Sequence, residues 1–294
     1  MSWISNFTEQ EREQTHFVAL PVDPALQEYV RYYWAIKCGP ATLVTPELLA
    51  PDGLDEIIFS YDSHFVRDVV PHGHSASFNT NGYIIGSKKY GLLCTRISAL
   101  SMIGIKLQAG ALHKIFNLPM NELRENPVSL ESLNVEVVNT LENKLYEAKS
   151  LNEIKHLLDA HLMKLLGEIP PPTISDSAVK LLTLLNGNCT VSALAEKLNV
   201  GVRNLQKQFD TCIGISPKAL AGVLRFKKLY HNLNDAHERG LDTNPLCDLG
   251  FYDQSHFIKD FQKYINISPQ KLFKAKTELS TKMLNICLSQ DRIT

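Results

Sequence analysis

The chain has 294 residues, 44% of them hydrophobic and 21% charged, with a formal net charge of −1. That length accommodates two domains, each with its own core. No apolar stretch approaches the roughly 20 residues needed to span a bilayer, and MSWISNFTEQEREQ carries acids where a secretion signal needs a basic and then an apolar run. The six Cys, at 38, 94, 189, 212, 247 and 287, form no CxxC pair, which fits scattered reduced thiols rather than a disulfide framework. A soluble, cytoplasmic protein is expected. The near-zero charge hides a division: residues 1–175 hold 14 Lys+Arg against 20 Asp+Glu, and residues 176–276 hold 14 against 9. A basic segment beside an acidic one suits a DNA reader joined to something else.

In chain order, Glu28 to Ile36, Asp55 to Tyr61, Asn81 to Ile85 and Ile97 to Leu107 are rich in aromatic and branched apolar residues, with Pro51-Asp52-Gly53 and similar clusters between them. Short strands separated by turn signals predict a small antiparallel β barrel or sandwich. From Leu133 to Leu166 a helical period takes over: Val137, Leu141 and Leu145 form one stripe, and Ile154, Leu157, Leu158, His161 and Leu165 another. Two helices meeting near Lys149-Ser150 would pack as a hairpin. Pro170-Pro171-Pro172 cannot continue a helix and favours an extended spacer. The expected layout is a β-rich sensory or dimerisation domain over 1–169, a linker over 170–176, an all-α domain over 177–276 and a tail over 277–294.

The all-α part contains an internal repeat. Leu205, Phe209, Gly214, Ile215, Ser216 and Pro217 recur 52 positions later as Phe257, Phe261, Asn266, Ile267, Ser268 and Pro269. Apolar residues four apart share one helical face. Gly or Asn five residues after the Phe suits a left-handed helix end, and Ser-Pro suits the start of the next helix. Upstream, Thr190 is a candidate N-cap for a short helix bearing Val191, Leu194, Ala195 and Leu198, with a turn at Asn199 to Gly201. Asn244-Pro245 opens the corresponding helix of the second copy, Gly250 ends it, and Asp253 starts the next. A continuous helix from Pro217 to about Leu233 joins the copies, followed by a polar loop. Each copy is a helix-turn-helix unit.

Here the residues carry a family resemblance. VGVRNLQKQFDTCIGISPKAL (200–220) and GFYDQSHFIKDFQKYINISPQKLF (250–273) resemble the two helix-turn-helix units of AraC/XylS-type transcription regulators, over roughly Ser177 to Lys276. Asn266 stands where a Gly is usual, and Tyr252 where a small polar N-cap is common. PDGLDEIIF (51–59) and GIKLQAGALHKIF (104–116) resemble, more weakly, an uncharacterised variety of the cupin-like domain that precedes many such units. The resemblance implies a DNA-binding transcription regulator, not an enzyme, with effector sensing or dimerisation at the N-terminal half. It makes double-stranded DNA the partner, leaves room for RNA polymerase and an unidentified small-molecule effector, favours a homodimer and involves no membrane.

Geometry then nominates contact residues. With Leu205, Phe209 and Cys212 inward, Arg203, Gln206 and Lys207 stay on the outer face of the first recognition helix. With Phe257, Phe261 and Ile265 inward, Gln254, Ser255, Ile258 and Lys259 remain outside on the second. His256, aligned with Asn204, is expected at a backbone phosphate. Arg can bond guanine, Gln adenine, and Lys either base or phosphate. No catalytic residue, metal ligand or cofactor is expected. Pro71-His72-Gly73-His74 has an HxH, but Ser75 to Asn81 supplies no Glu ligand. Asp52, Asp55 and Glu56 cluster without an evident shared site. A cupin-type enzyme tethered to DNA would need that metal set, and a DNA-alkyl acceptor would need four grouped Cys/His ligands where Cys38 and Cys94 stand alone.

Overall fold

The computed structural model describes residues 2–3, 15–39, 47–61, 65–69, 74–78, 81–96, 98–123, 127–133, 136–167, 171–238 and 254–266. Among them the N-terminal half forms β1 (His16–Leu20), β2 (Val30–Cys38), β3 (Glu47–Leu49), β4 (Asp55–Ser60), β5 (Phe65–Val69), β6 (His74–Phe78), β7 (Gly82–Ile85), β8 (Leu92–Arg96), β9 (Leu100–Leu107) and β10 (Val128–Ser129). The strands make two antiparallel sheets, in the orders β1-β2-β9-β4-β7-β10 and β3-β8-β5-β6.

The central strands of the larger sheet are apolar on both faces. Tyr33, Ala35, Ile57, Phe59, Ile84, Ile103 and Ile105 feed one core, and Tyr32, Trp34, Ile36, Ile58, Tyr83, Ile85 and Met102 feed a second. This is why these segments read as continuous apolar runs rather than alternations. Val30 joins the first core although its position parity would send it to the second. The register shift between Val30 and Tyr32 accounts for this, because one extra residue moves a side chain to the opposite face.

After β9 the chain forms α1 (Ala111–Phe116) and α2 (Met120–Leu123), and then the helical pair α3 (Glu136–Glu147) and α4 (Leu151–Leu166). Ser150 caps α4 by accepting the Glu153 N–H at 3.2 Å. Leu141, Leu145, Ile154, Leu158 and Leu162 are buried in the first core, so both stripes close the sheet face of their own domain. The Val137 side chain lies outside the described residues.

Among the described residues the C-terminal half has helices and no strand: α5 (Ile174–Leu184), α6 (Val191–Lys197), α7 (Val202–Cys212), α8 (Pro217–Glu238) and α9 (Gln254–Ile265). Thr173 opens α5 with a reciprocal cap, its hydroxyl facing the Asp176 N–H while the Asp176 carboxylate accepts the Thr173 N–H. Ala178, Leu182, Leu194, Ala195, Leu205, Phe209, Ile213 and Leu220 share one core. Helix α8 runs to Glu238, five residues beyond the expected end at Leu233. Asn234 to Glu238 contains no Gly or Pro, and the first strong breaker is Gly240.

Candidate nucleic-acid interface

The first unit is α6, a tight turn and α7. The Thr190 hydroxyl accepts the Ala193 N–H at 3.1 Å and starts α6. Asn199 takes the left-handed conformation (φ 52°) that ends it. The extended backbone of Gly201 then launches α7 in a new direction. Leu205 and Phe209 are fully buried, whereas Arg203, Gln206 and Lys207 are exposed. The N–H groups of Ile213 and Gly214 both donate to the Phe209 carbonyl at 2.9 Å. Gly214 sits at φ 81°, where a residue with a Cβ would be strained. The Ser216 hydroxyl accepts the Ala219 N–H at 3.2 Å and opens α8.

The second unit ends the same way. In α9 Phe261 and Ile265 are buried and Lys259 is exposed. Asn266 takes φ 55°, its N–H donating to the Gln262 carbonyl at 2.7 Å. Asn tolerates this region better than other non-Gly residues, which accommodates the departure from Gly. Helix α9 is held on α8 by aromatic rings: Phe226 lies 5.2 Å from Phe261 and 4.9 Å from Tyr264 between centroids, and Tyr230 lies 6.1 Å from Phe261. Gln254, Ser255, His256, Phe257 and Ile258 begin α9, but their side chains lie outside the described residues. So do Asn244 to Asp253, including the expected first helix of this unit, and the 277–294 tail.

The N-terminal domain packs directly against both units. Asn121 Nδ2 donates to the Asp210 carboxylate of α7 at 3.1 Å, and Lys114 pairs with Asp176 of α5 at 2.7 Å. The Gly91 N–H donates to the Tyr264 carbonyl of α9 at 2.8 Å. Gly110 approaches Ile213 so closely that a Cβ would stand 2.6 Å from its terminal carbon. Gly53 lies against Leu220 and Val223 of α8. Beside Gly53, a narrow cleft between the domains is lined by Arg31, Asp52 and Gln108 on one side and Thr183, Leu224 and Lys227 on the other.

Beneath that contact lies a buried charge cluster. Lys106 Nζ is 2.7 Å from Asp52 and 3.1 Å from Glu56, and Lys88 Nζ is 3.2 Å from Glu56. Trp34 Nε1 donates to the same Glu56 at 2.9 Å. Burial alone would raise both acids. The two ammonium groups outweigh it and hold Asp52 and Glu56 below the usual carboxylate range. Asp55 points elsewhere: it accepts the Ser87 hydroxyl at 2.8 Å and the Gly110 and Leu112 N–H groups at 2.9 and 3.3 Å, and so anchors the start of α1. Burial pushes it up to about 7, against the pull of those donors. Asp52 and Glu56 therefore share a site that the sequence did not reveal, because Lys88 and Lys106 are distant in the chain. What the sequence did offer was the two stretches 51–59 and 104–116, which supply Gly53, Gly110 and Lys114 to the domain contact.

Residues 194–275 match the family model described as a helix-turn-helix domain, and residues 19–129 match one described as Domain of unknown function (DUF6597). No curated protein matches the chain. Among solved structures, the chain is similar to an apo form of a single-substitution variant of ToxT from Vibrio cholerae at 11% identity, covering 90% of this chain and 97% of that one, with a TM-score of 0.44. It is similar to unsaturated-fatty-acid-bound ToxT from the same organism at 13% identity, 81% and 97% coverage and a TM-score of 0.43. A structure of ethanolamine utilization protein Q from Salmonella typhimurium matches at 11% identity, 35% and 77% coverage and a TM-score of 0.24. The repeated units and the family match together identify residues 194–275 as an AraC-type helix-turn-helix DNA-binding domain, carried in this chain behind a β-rich domain.

Proposed function

We propose that this protein is a sequence-specific transcription regulator, not an enzyme, that reads DNA with α7 and α9 in successive major grooves. The observation that carries the reading is α7 itself. Its apolar face is sealed by Leu205 and Phe209, and its N-terminal half offers Arg203, Gln206 and Lys207 to solvent. A helix fits the major groove, about 12 Å wide, and grooves on one face of B-DNA recur about every 34 Å. Helix α8 has 22 residues, so it spans about 33 Å, a length suited to joining two readers on one face. Gln254, Ser255 and Lys259 are assigned to base or phosphate contact from α9, and His256 to phosphate.

The N-terminal domain over 1–169 is assigned the control function and 177–276 the DNA-binding domain; of the expected 170–176 linker, Ile174 to Asp176 already belong to α5, so the spacer ends before its cap at Thr173. The cleft beside Arg31, Asp52 and Lys227 holds little more than a water, so a small molecule would have to part the two domains to enter it. Such a molecule would shift whichever arrangement it binds better. A cytoplasmic homodimer presenting four recognition helices to a paired site, with RNA polymerase as the downstream partner, completes the reading. Among the described side chains of the α3 and α4 pair, whose stripes are used in the core, the large apolar residues Tyr146 and Met163 are exposed. The test is selection of duplexes from a random pool by the full chain, followed by light scattering at tens of micromolar. Failure to enrich any sequence refutes specific DNA reading, and a monomer at that concentration refutes the dimer.

A further inference from the structure

We propose that the N-terminal domain sets the spacing at which the two recognition helices read DNA, by gripping the C-terminal end of each. This rests on the reading of α7 and α9 as DNA readers. The grip on the first unit falls on Asp210, held by Asn121, and on the Cys212 to Gly214 turn. There Gly110 meets Ile213, and the Met120 carbonyl stands 2.6 Å from where a Cβ on Gly214 would lie. The grip on the second unit falls on Tyr264, whose carbonyl takes the Gly91 N–H at 2.8 Å, and on Ile265, 3.0 Å from where a Cβ on Gly91 would stand. Each of these contacts lies in the last turn of a recognition helix or just after it; the domain also meets α5 through Lys114 and Asp176 and α8 through Gly53. The N-terminal half of α7, with Arg203, Gln206 and Lys207, and Lys259 on α9 remain exposed.

Helix α8 already joins the units, and among the described residues α9 meets it along one face, that of Gly222, Phe226 and Tyr230. Contact along one face restrains rotation of one unit about that line less than contact from two sides would. A second tie, from both units to one β-rich body, removes that rotation. The domain therefore fixes both the distance and the angle between the two readers, and these select the separation of the two half-sites in DNA.

The test uses the full chain and two full-length variants. Asn121→Asp sets a carboxylate against Asp210, and Gly91→Val forces a side chain into Ile265 and the Tyr264 carbonyl. The probes are a duplex selected from a random pool by the unaltered chain, and the same duplex with one base pair inserted between its half-sites. One base pair adds about 3.4 Å of rise and about 34° of rotation. The unaltered chain should lose at least about tenfold in affinity on insertion, the cost of a typical defect in a specific site. Each variant should bind the original duplex more weakly and lose less than about threefold on insertion. Thermal melting checks that each variant is folded. Asn121→Asp, at a partly exposed site, keeps the test decisive if Gly91→Val is not. Equal insertion penalties in variant and unaltered chain overturn the proposal. So does tighter binding of both duplexes by the variants, which would make the contact a brake. If the unaltered chain selects no duplex, the DNA-reading assignment itself falls and takes this proposal with it.

Discussion

Replacing Lys106 with Met removes one of two ammonium groups from the buried cluster while keeping most of the side-chain volume. Lys106 is 3% exposed and lies 2.7 Å from Asp52 and 3.1 Å from Glu56. At an effective dielectric of about 20 these distances correspond to gross attractions of about 6 and about 5 kcal/mol. Relief of the lysine's own desolvation offsets much of that. Breaking a buried pair and stranding its partner costs about 3–5 kcal/mol net, and here Lys88 would remain alone against two carboxylates. For a folding unit of 150–250 residues that corresponds to a fall in melting temperature of about 6–20 °C. The assay is denaturant unfolding followed by tryptophan fluorescence. The chain has two Trp, and Trp34 donates to Glu56 inside the cluster. Lys106→Met/Glu56→Gln, which removes one charge of each sign, should recover at least about half of the loss, since the two sites are coupled. A single variant that loses less than about 1 kcal/mol, or a double variant that loses the sum of both singles, would refute the account.

Three further outcomes are expected. Arg203→Ala should cost about 1–3 kcal/mol on the selected duplex and relax preference at one or two positions; equal loss on random DNA would assign Arg203 to phosphate instead. Phe209→Ala and Phe261→Ala should each cost about 3–5 kcal/mol of stability, and unchanged melting in either would show that the inward faces are misplaced. Folded Asp55 titrates near 7 and its unfolded counterpart near 3.8. The stability this group contributes is therefore present below about pH 4 and lost as pH rises through about 7. Asp55→Asn should flatten that part of the stability profile, and parallel wild-type and variant profiles from pH 4 to 8 would count against it.

Helices α3, α4, α6, α7, α8 and α9 were legible because their periods are strong and their stops are chemical, whereas α1, α2 and α5 were not foreseen. Thr190, Asn199, Ser150 and Gly214 each mark an end with a cap or a left-handed residue. Strands β2, β4, β7 and β9 were legible as apolar runs to within about three residues, the usual uncertainty of element ends. Strands such as β5 and β6, FVRDV and HSASF, were not, since their mixed composition resembles loop and only pairing with a neighbour makes them strands. The burial of Leu205 and Phe209 followed from their spacing alone. The domain contact was not legible. Gly91 and Asn121 carry no local signature, Gly110 was marked only as part of the 104–116 resemblance, and their role exists only once distant segments are brought together.

The buried charges raise a question of purpose. Four ionised groups could in principle give way to apolar ones of similar size with little loss of stability, or even a gain. Their directionality is what apolar groups would not reproduce. Lys106 ties Asp52 to β9, and Asp52 accepts the Leu54 N–H at 3.2 Å, so the loop between them is held in one shape. Gly53, in that loop, presses on Leu220 and Val223 of α8. The cluster therefore aims the loop that meets the DNA-binding domain. This predicts a separation of two readouts in the Lys106→Met/Glu56→Gln variant. Melting should return part of the way to wild type, because the charge balance is restored. Affinity for the selected duplex should stay reduced, because Asp52 has lost its 2.7 Å partner and the loop its fixed shape. Recovery of melting and DNA affinity in the same proportion would show that the cluster contributes stability alone.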